Sequence, residues 1–219
     1  MRRLLLLRPE PGLSASAQRA RAMGLEVVTC PLFRVEPVTW EAPDPAAYDG
    51  LLLTSANAVR QGGPQLATLK HLPVHAVGQA TAEAADAAGF AIATVGSDNV
   101  AELLDRLPRH MRLLHLAGED HGDMLDREID GRIVYRSAPI ERPGLPPLDG
   151  LVAAIHSPRA GARLAELAVD RAGTSIAAIS NAAATAAGQG WERVEAAERP
   201  DDSSLLALAA MLCHTSPPT

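Results

Sequence analysis

Two stretches of this chain repeat one pattern at a fixed distance. "VHAVGQATAEAADAAGF" (74–90) and "IAAISNAAATAAGQGW" (176–191) each pass from an apolar run through a small polar turn into an alanine-rich helix. Upstream of them, "YDGLLLTSANAV" (48–59) has a counterpart in "LDGLVAAIHSPRA" (148–160). Ser55 and Ser157 lie 102 positions apart, and so do Gly78 and Ser180, so one offset aligns two separate strand-to-helix junctions. Further on, "SDNVAELLDRL" is echoed by "PDDSSLLALAAML", with the offset drifting by a residue or two. Alanine-rich helices resemble one another for ordinary reasons, but an offset shared by several elements is harder to reach by chance. The period is far longer than the roughly 20–50 residues of solenoid repeats. The chain therefore reads as two copies of one βα module.

Short apolar runs alternate with amphipathic stretches along nearly the whole sequence, the pattern of βα units around parallel sheets. "RLLLLRP" and "LEVVTCPLF" read as strands, with a helix from Ser14 to Met23 between them that Gly24 closes. "VHAVG" leads into a helix from Ala80 to Ala88, ended by Gly89 as a glycine just past a helix would end it. Asn99 and Glu102 have the spacing of a capping box. The Pro-dense stretches 30–45 and 134–150 alternate in the β manner and mark where modules join. Paired as a ribbon, they would carry the chain out to the middle module and back. The N-terminal βαβ would then join the C-terminal half in a discontinuous domain. The rival arrangement is a plain first half and second half.

At 219 residues the length suits one large domain or two small ones. Aromatic residues make up 3% of the chain and the net charge is −6, so neither stacked bases nor a phosphate backbone finds the surface it needs. Nucleic acid is excluded as a partner. "MRRLLLLRPEPG" resembles a leader, but four leucines make too short an apolar core and Arg8-Pro9 follows at once, so a buried first strand is expected. No run approaches the 18 or more apolar residues of a membrane span. Cys30 and Cys213 have no CxxC partner, so neither a disulfide framework nor a zinc site is implied. The cytoplasm is the expected compartment.

In an open parallel sheet, ligands sit beyond the carboxyl ends of the strands, where helices begin and their free N–H groups favour anions. Four junctions carry small hydroxyl or amide residues there: Thr54-Ser55-Ala56-Asn57, Gly78-Gln79-Ala80-Thr81, His156-Ser157-Pro158-Arg159 and Ser180-Asn181. Helix capping is the ordinary role of such residues at any single junction. Four of them, two from each copy, raise the expectation that they line one cleft between facing modules. His71 and His75 have helical metal-ligand spacing, but Pro73 between them argues against a shared helical face. "GEDHGD" (118–123) gathers acids and a histidine, most simply as a solvated turn. Walker A, GxGxxG and GxSxG patterns are absent from the sequence. Tyr135, one of two tyrosines, lies in the stretch between modules. Packing is the usual role of such a residue, and a cleft-facing phenol would supply a proton or a hydrogen bond.

Together, "LLLLRPEPG", "LLLTSANAV", "AVGQATAEAADAAGF", "IVYRSAPI", "IHSPRA", "AAISNAAATAA" and "ERPDDSSLLALAAML" resemble the uroporphyrinogen-III synthase family in order and spacing, from Leu4 to about Leu212. The resemblance implies an α/β fold of two similar domains, parallel sheets flanked by helices, joined by a two-stranded β ribbon with the active-site cleft between them. The implied boundaries are 1–34 plus 141–219 for a discontinuous domain, 38–134 for an inserted one, and 33–40 and 133–141 for the ribbon. It implies a lyase that cyclises the linear tetrapyrrole hydroxymethylbilane with inversion of ring D through a spiro intermediate, using no metal or organic cofactor. Tyr135 matches the tyrosine implicated in departure of the hydroxyl. Thr81, Ser157, Ser180 and Asn181 match cleft positions, with Arg8, Thr54, Ser55 and Asn57 as further substrate contacts. A small-molecule substrate, no membrane, a monomeric state and transient contact with the preceding pathway enzyme are implied as well.

The chain departs from the family in two places. Ala183 stands in the second copy where the first has Thr81, and the loop after "RLLHLAG" reads "EDHGDM" (119–124), acidic where many members have a basic residue. Two other readings share part of this pattern. A two-lobed α/β binding or sensor module without catalysis has the duplication and the cleft but no need of Tyr135. A single flavodoxin-like enzyme with an insertion does not explain the constant offset.

Overall fold

In this computed structural model, residues 1–97, 99–120 and 129–215 are described. The chain divides into two compact units, Met1–Arg34 with Pro139–Thr219, and Val35–Ala138. In the first, β1 (Arg3–Leu6), α1 (Gly12–Ala22) and β2 (Val27–Thr29) come from the start of the chain. The rest comes from its end: β9 (Leu151–Ile155), α5 (Pro158–Leu167), β10 (Ser175–Ala178), α6 (Asn181–Ala187), β11 (Arg193–Ala196) and α7 (Asp202–His214). The five strands lie in the order β11-β10-β9-β1-β2, every pair parallel.

The second unit holds β4 (Gly50–Leu53), α2 (Ala56–Gln61), β5 (Val74–Val77), α3 (Gln79–Ala87), β6 (Ile92–Gly96), α4 (Val100–Asp105) and β7 (Leu113–Gly118). β3 (Phe33–Pro37) and β8 (Asp130–Pro139) complete its six-stranded sheet, ordered β3-β8-β7-β4-β5-β6. Two short 3-10 turns, Pro45–Ala47 and Pro64–Leu69, fill the connections. With β3 set aside, both sheets have one order. The β1–β2 piece stands in the first where β7–β8 stands in the second, so one unit is a circular permutation of the other.

Each central strand is buried on both faces, and its residues alternate strictly between two cores. Leu5, Leu7, Ala153, Ile155, Ile176 and Ala178 pack under α5 and α6 with Leu164 and Ala183. Leu4, Leu6, Val152, Ala154 and Ala177 pack under α1 and α7 with Leu13, Leu205 and Leu212. The second unit repeats this, with Leu51, Leu53, Val74 and Ala76 on one face and Leu52, Val77 and Leu113 on the other. Apolar runs such as "RLLLL" and "GLLL" are what a doubly covered parallel sheet requires. Gly24 and Gly89 take positive φ (81° and 85°) directly after helices, the left-handed turn expected of them. Among the described residues no helix is long and apolar enough to cross a membrane.

One expected strand divides. "LEVVTCPLF" forms β2 in one sheet and β3 in the other, because Pro31 offers no N–H to the ladder and the chain beyond it turns to β8. The histidines of the candidate metal pair also separate. His71 lies in an exposed turn, whereas His75 is 4% exposed within β5, with Nδ1 3.3 Å from Thr94 Oγ1 and Nε2 without a hydrogen-bond partner among the described residues. Among the described residues no group of three His, Cys, Asp or Glu side chains could hold a metal ion.

Burial lowers the pKa of His75 by penalising the imidazolium. The folded chain then binds fewer protons than the unfolded one below pH ~6.5, so stability should fall as pH drops through that value and level off above it. In urea denaturation, His75→Gln should lose less stability than wild type between about pH 7.5 and about pH 5.5, the range that brackets the ordinary imidazole pKa. Equal slopes for the two proteins would assign the acid sensitivity elsewhere.

Candidate functional site

In each sheet the chain reverses direction beside one strand pair, β9 with β1 and β4 with β7, and these are the switch points at which open α/β sheets bind ligands. At the first, Arg8 lies just past β1 and His156 just past β9. Both meet Asp202, the first residue of α7. Arg8 Nη1 donates to Asp202 Oδ1 (3.0 Å) and to Ser16 Oγ (3.0 Å). Ser16 Oγ donates to Asp202 Oδ1 (2.6 Å), as does His156 Nε2 (2.8 Å), while Arg19 Nε donates to Oδ2 (2.9 Å). Burial disfavours the charged form of Asp202, but the hydrogen bonds from His156, Ser16 and Arg19 outweigh it and hold the carboxyl far below the usual carboxylate range. Desolvation likewise lowers His156, more than Asp202 raises it, so the ring is neutral and its proton sits on the nitrogen facing the carboxylate.

The neighbouring helix starts are capped. Ser157 Oγ accepts from Ala160 N (3.2 Å) and Ser180 Oγ accepts from Ala183 N (3.3 Å); Asn181, the first residue of α6, is exposed. Ala183 is fully buried where α5 and α6 touch: a Cβ on Gly161 would lie 2.8 Å from its carbonyl oxygen. The Ala183 side of the difference between the copies is therefore a matter of helix packing. Replacing Ser157 with alanine should lose about 1 kcal/mol in chemical denaturation, the size of a lost cap. An unchanged midpoint would show that its hydrogen bond contributes nothing to stability.

At the second switch point Thr54 Oγ1 lies 3.0 Å from His115 Nε2, and Ser55 Oγ accepts from Asn57 N (3.2 Å), with the Asn57 side chain half-buried beside it. Gly78 opens α3 with no side-chain cap. Thr81, in the first turn of α3, is 5% exposed, and its hydroxyl has no hydrogen-bond partner among the described residues. Tyr135 is set by the register of β8 against β7. Ala117 pairs with Ile133 but Gly118 pairs with Tyr135, so Val134 is the extra residue of a bulge, fully buried in the core. The bulge brings the Tyr135 ring against Gly118, where an added Cβ would lie 2.6 Å from Cζ and 2.8 Å from the hydroxyl oxygen. That hydroxyl has no hydrogen-bond partner among the described residues.

The structure thus gathers Arg8, Ser157, Ser180 and Asn181 at the carboxyl edge of one sheet. It gathers Thr54, Ser55, Asn57 and Thr81 at strand ends and helix starts of the other unit, with Tyr135 inside β8 opposite Gly118, the last residue of β7. Asp202, Ser16, Arg19, His115 and the glycine under Tyr135 are additions that the sequence did not single out. Of the acidic segments at 118–123 and 119–124, residues 121–124 lie outside the described residues.

Fold and site define a class: a doubly wound α/β protein of two permuted units, with polar side chains collected at the carboxyl ends of parallel strands. Residues 14–207 match the family described as uroporphyrinogen-III synthase HemD, and the chain belongs to that family of tetrapyrrole-biosynthesis enzymes. The solved uroporphyrinogen-III synthetase of Helicobacter pylori 26695 is 19% identical over 97% of this chain and 100% of its own, with a TM-score of 0.71, and so shares the fold. A native structure of uroporphyrinogen III synthase from the extremely thermophilic bacterium Thermus thermophilus is 17% identical over 96% of each chain, with a TM-score of 0.41. No curated protein matches the chain.

Proposed function

We propose that this protein is a lyase that closes hydroxymethylbilane to uroporphyrinogen III, with the substrate held by polar side chains at the carboxyl ends of the parallel strands. The observation that carries the reading, beside the family, is Tyr135: a phenol aimed by a bulge, seated on Gly118 and left without a partner among the described residues. In the reaction the C–O bond of the hydroxymethyl group on ring A breaks and the hydroxyl leaves as water. The Tyr135 hydroxyl supplies the proton or hydrogen bond that assists it. The resulting azafulvene is attacked by the substituted carbon of ring D, giving a spiro intermediate that fragments and recloses with ring D inverted. Loss of a proton restores the pyrrole.

The substrate carries eight carboxylates, and charge-assisted hydrogen bonds are worth about 1.5–3 kcal/mol each, so a few local donors hold it on a chain of net charge −6. Thr81, Ser157, Ser180 and Asn181 are the proposed contacts, joined by Arg8, Thr54, Ser55 and Asn57. The unaided bilane closes without inversion, so the main contribution of the protein is to fold the substrate into the productive geometry. In the same reading 33–40 and 133–141 are the ribbon joining a domain of 1–34 plus 141–219 to one of 38–134. In this reading the protein acts as a monomer in transient contact with the preceding pathway enzyme.

Incubation with freshly made hydroxymethylbilane, followed by separation of the isomers, should give the type III product. Accumulation of type I alone at high protein concentration would sink the reading. Tyr135→Phe should lower kcat by roughly 10²-fold, the lower range for loss of a positioned proton donor. Turnover equal to wild type would remove Tyr135 from the chemistry while leaving the isomer result standing.

A further inference from the structure

The cluster around Asp202 leaves one half of a guanidinium unused. Arg8 spends Nη1 on Asp202 and Ser16, and neither Nε nor Nη2 has a hydrogen-bond partner among the described residues. Its side chain is 29% exposed, so part of it reaches solvent. Arg8 is also held against Gly12, the first residue of α1. A Cβ at position 12 would fall 2.5 Å from Nε, 2.6 Å from Cζ and 2.7 Å from Nη2, so no side chain is compatible with Arg8 in this place. Asp202 itself receives donors from α1, from the end of β9 and from the segment after β1, and it fixes Arg8 relative to all of them. With Arg8 and Arg19 positive, Asp202 negative and His156 neutral, the cluster keeps an excess positive charge although it is internally bonded.

We propose that Arg8 is a pre-oriented carboxylate receptor. Its free Nε–Nη2 edge takes one carboxylate arm of the tetrapyrrole in a two-pronged hydrogen bond, and Gly12 and Asp202, with His156 behind it, are positioning residues that hold that edge outward. The inference rests on the synthase reading for its ligand and adds the residues that prepare the site. The paired donors of a guanidinium match the two oxygens of a carboxylate, and a lysine at the same place offers only a point charge. Because the carboxylate is bound in ground state and transition state alike, its loss should appear in KM far more than in kcat.

Three variants test this, measured by steady-state kinetics on hydroxymethylbilane and by titration with uroporphyrin III, the stable oxidised macrocycle with the same eight carboxylates. Arg8→Gln should raise KM and the uroporphyrin Kd by roughly 10-fold or more, the scale of a lost charge-assisted hydrogen bond, with kcat within about 3-fold. Gly12→Ala should do the same while its thermal midpoint stays at or above wild type, since alanine favours the helix and only the flexible end of Arg8 must move. Asp202→Asn should weaken binding in the same direction, and the Arg8→Gln, Asp202→Asn pair should bind no worse than Arg8→Gln alone. If Asp202→Asn does not fold, the Gly12 variant still decides, because it leaves every other partner of the cluster in place.

KM and Kd within about 2-fold of wild type for both Arg8→Gln and Gly12→Ala would overturn the proposal. A type I product from the wild-type protein would end the synthase reading separately. The uroporphyrin titration would then still judge Arg8, an unchanged Kd counting against it and a weakened one for it.

Discussion

Parallel strand pairing is the constraint on which everything else here depends. Among the described residues ten of the eleven strands lie in parallel pairs, so each sheet gathers the carboxyl ends of those strands along one edge. The parallel ladder requires helical crossovers, and the crossovers bury both faces of the sheet. This is why the strands are runs of leucine, valine and alanine with almost no polar interruption. What remains polar in the interior is correspondingly specific. His75, His115 and Thr81 are buried in the second unit, and the Asp202 cluster is partly buried in the first. An edge that collects unpaired N–H groups and a few fixed side chains suits a polyanion without any need for a basic surface.

The duplication supplies two such edges, and permutation of the chain makes them different. In one unit the strand beside the switch point is β7, whose last residue Gly118 makes room for Tyr135 on β8. In the other it is β1, and Gly12 after it makes room for Arg8. In both, a glycine close to the carboxyl end of a central strand leaves space that a larger polar side chain occupies. In the proposed reading the phenol serves the leaving hydroxyl and the guanidinium holds a carboxylate, two different tasks on one frame. The unlike residues at repeat-related positions, Thr54 against His156 and Thr81 against Ala183, follow the same division. Ala183 is fully buried in the core with α5 and α6, and Thr81 keeps a hydroxyl with no partner among the described residues.

The parallel α/β class was legible in the sequence because hydrophobic period, glycine stops and the common offset all agree on it. The helix starts were legible for the same reason: Ser55, Asn99, Ser157 and Ser180 cap helices as their positions suggested. The cluster at Asp202 was not, since its partners Arg8, Ser16 and Arg19 lie 194, 186 and 183 positions away. In sequence terms Asp201-Asp202 is only a helix start. The bulge at Val134 was equally hidden, because alternation along β8 gives no sign of which residue is extra. Tyr135 could be named from family resemblance and from its place between modules, but the glycine beneath it and the register shift that aims it belong to the fold. Pro31 signals a break within "LEVVTCPLF", yet nothing local says that the two halves join different sheets.

In the proposed reading, the carboxyl edge of each unit contacts a polycarboxylate ligand. Amide hydrogen exchange, with and without uroporphyrin III, tests this directly on the whole chain. The account predicts slowed exchange at 54–57 and 78–81 and also at 156–160 and 180–183, with the amino ends of the strands unaffected. Protection confined to one unit, or spread over the amino ends instead, would contradict it.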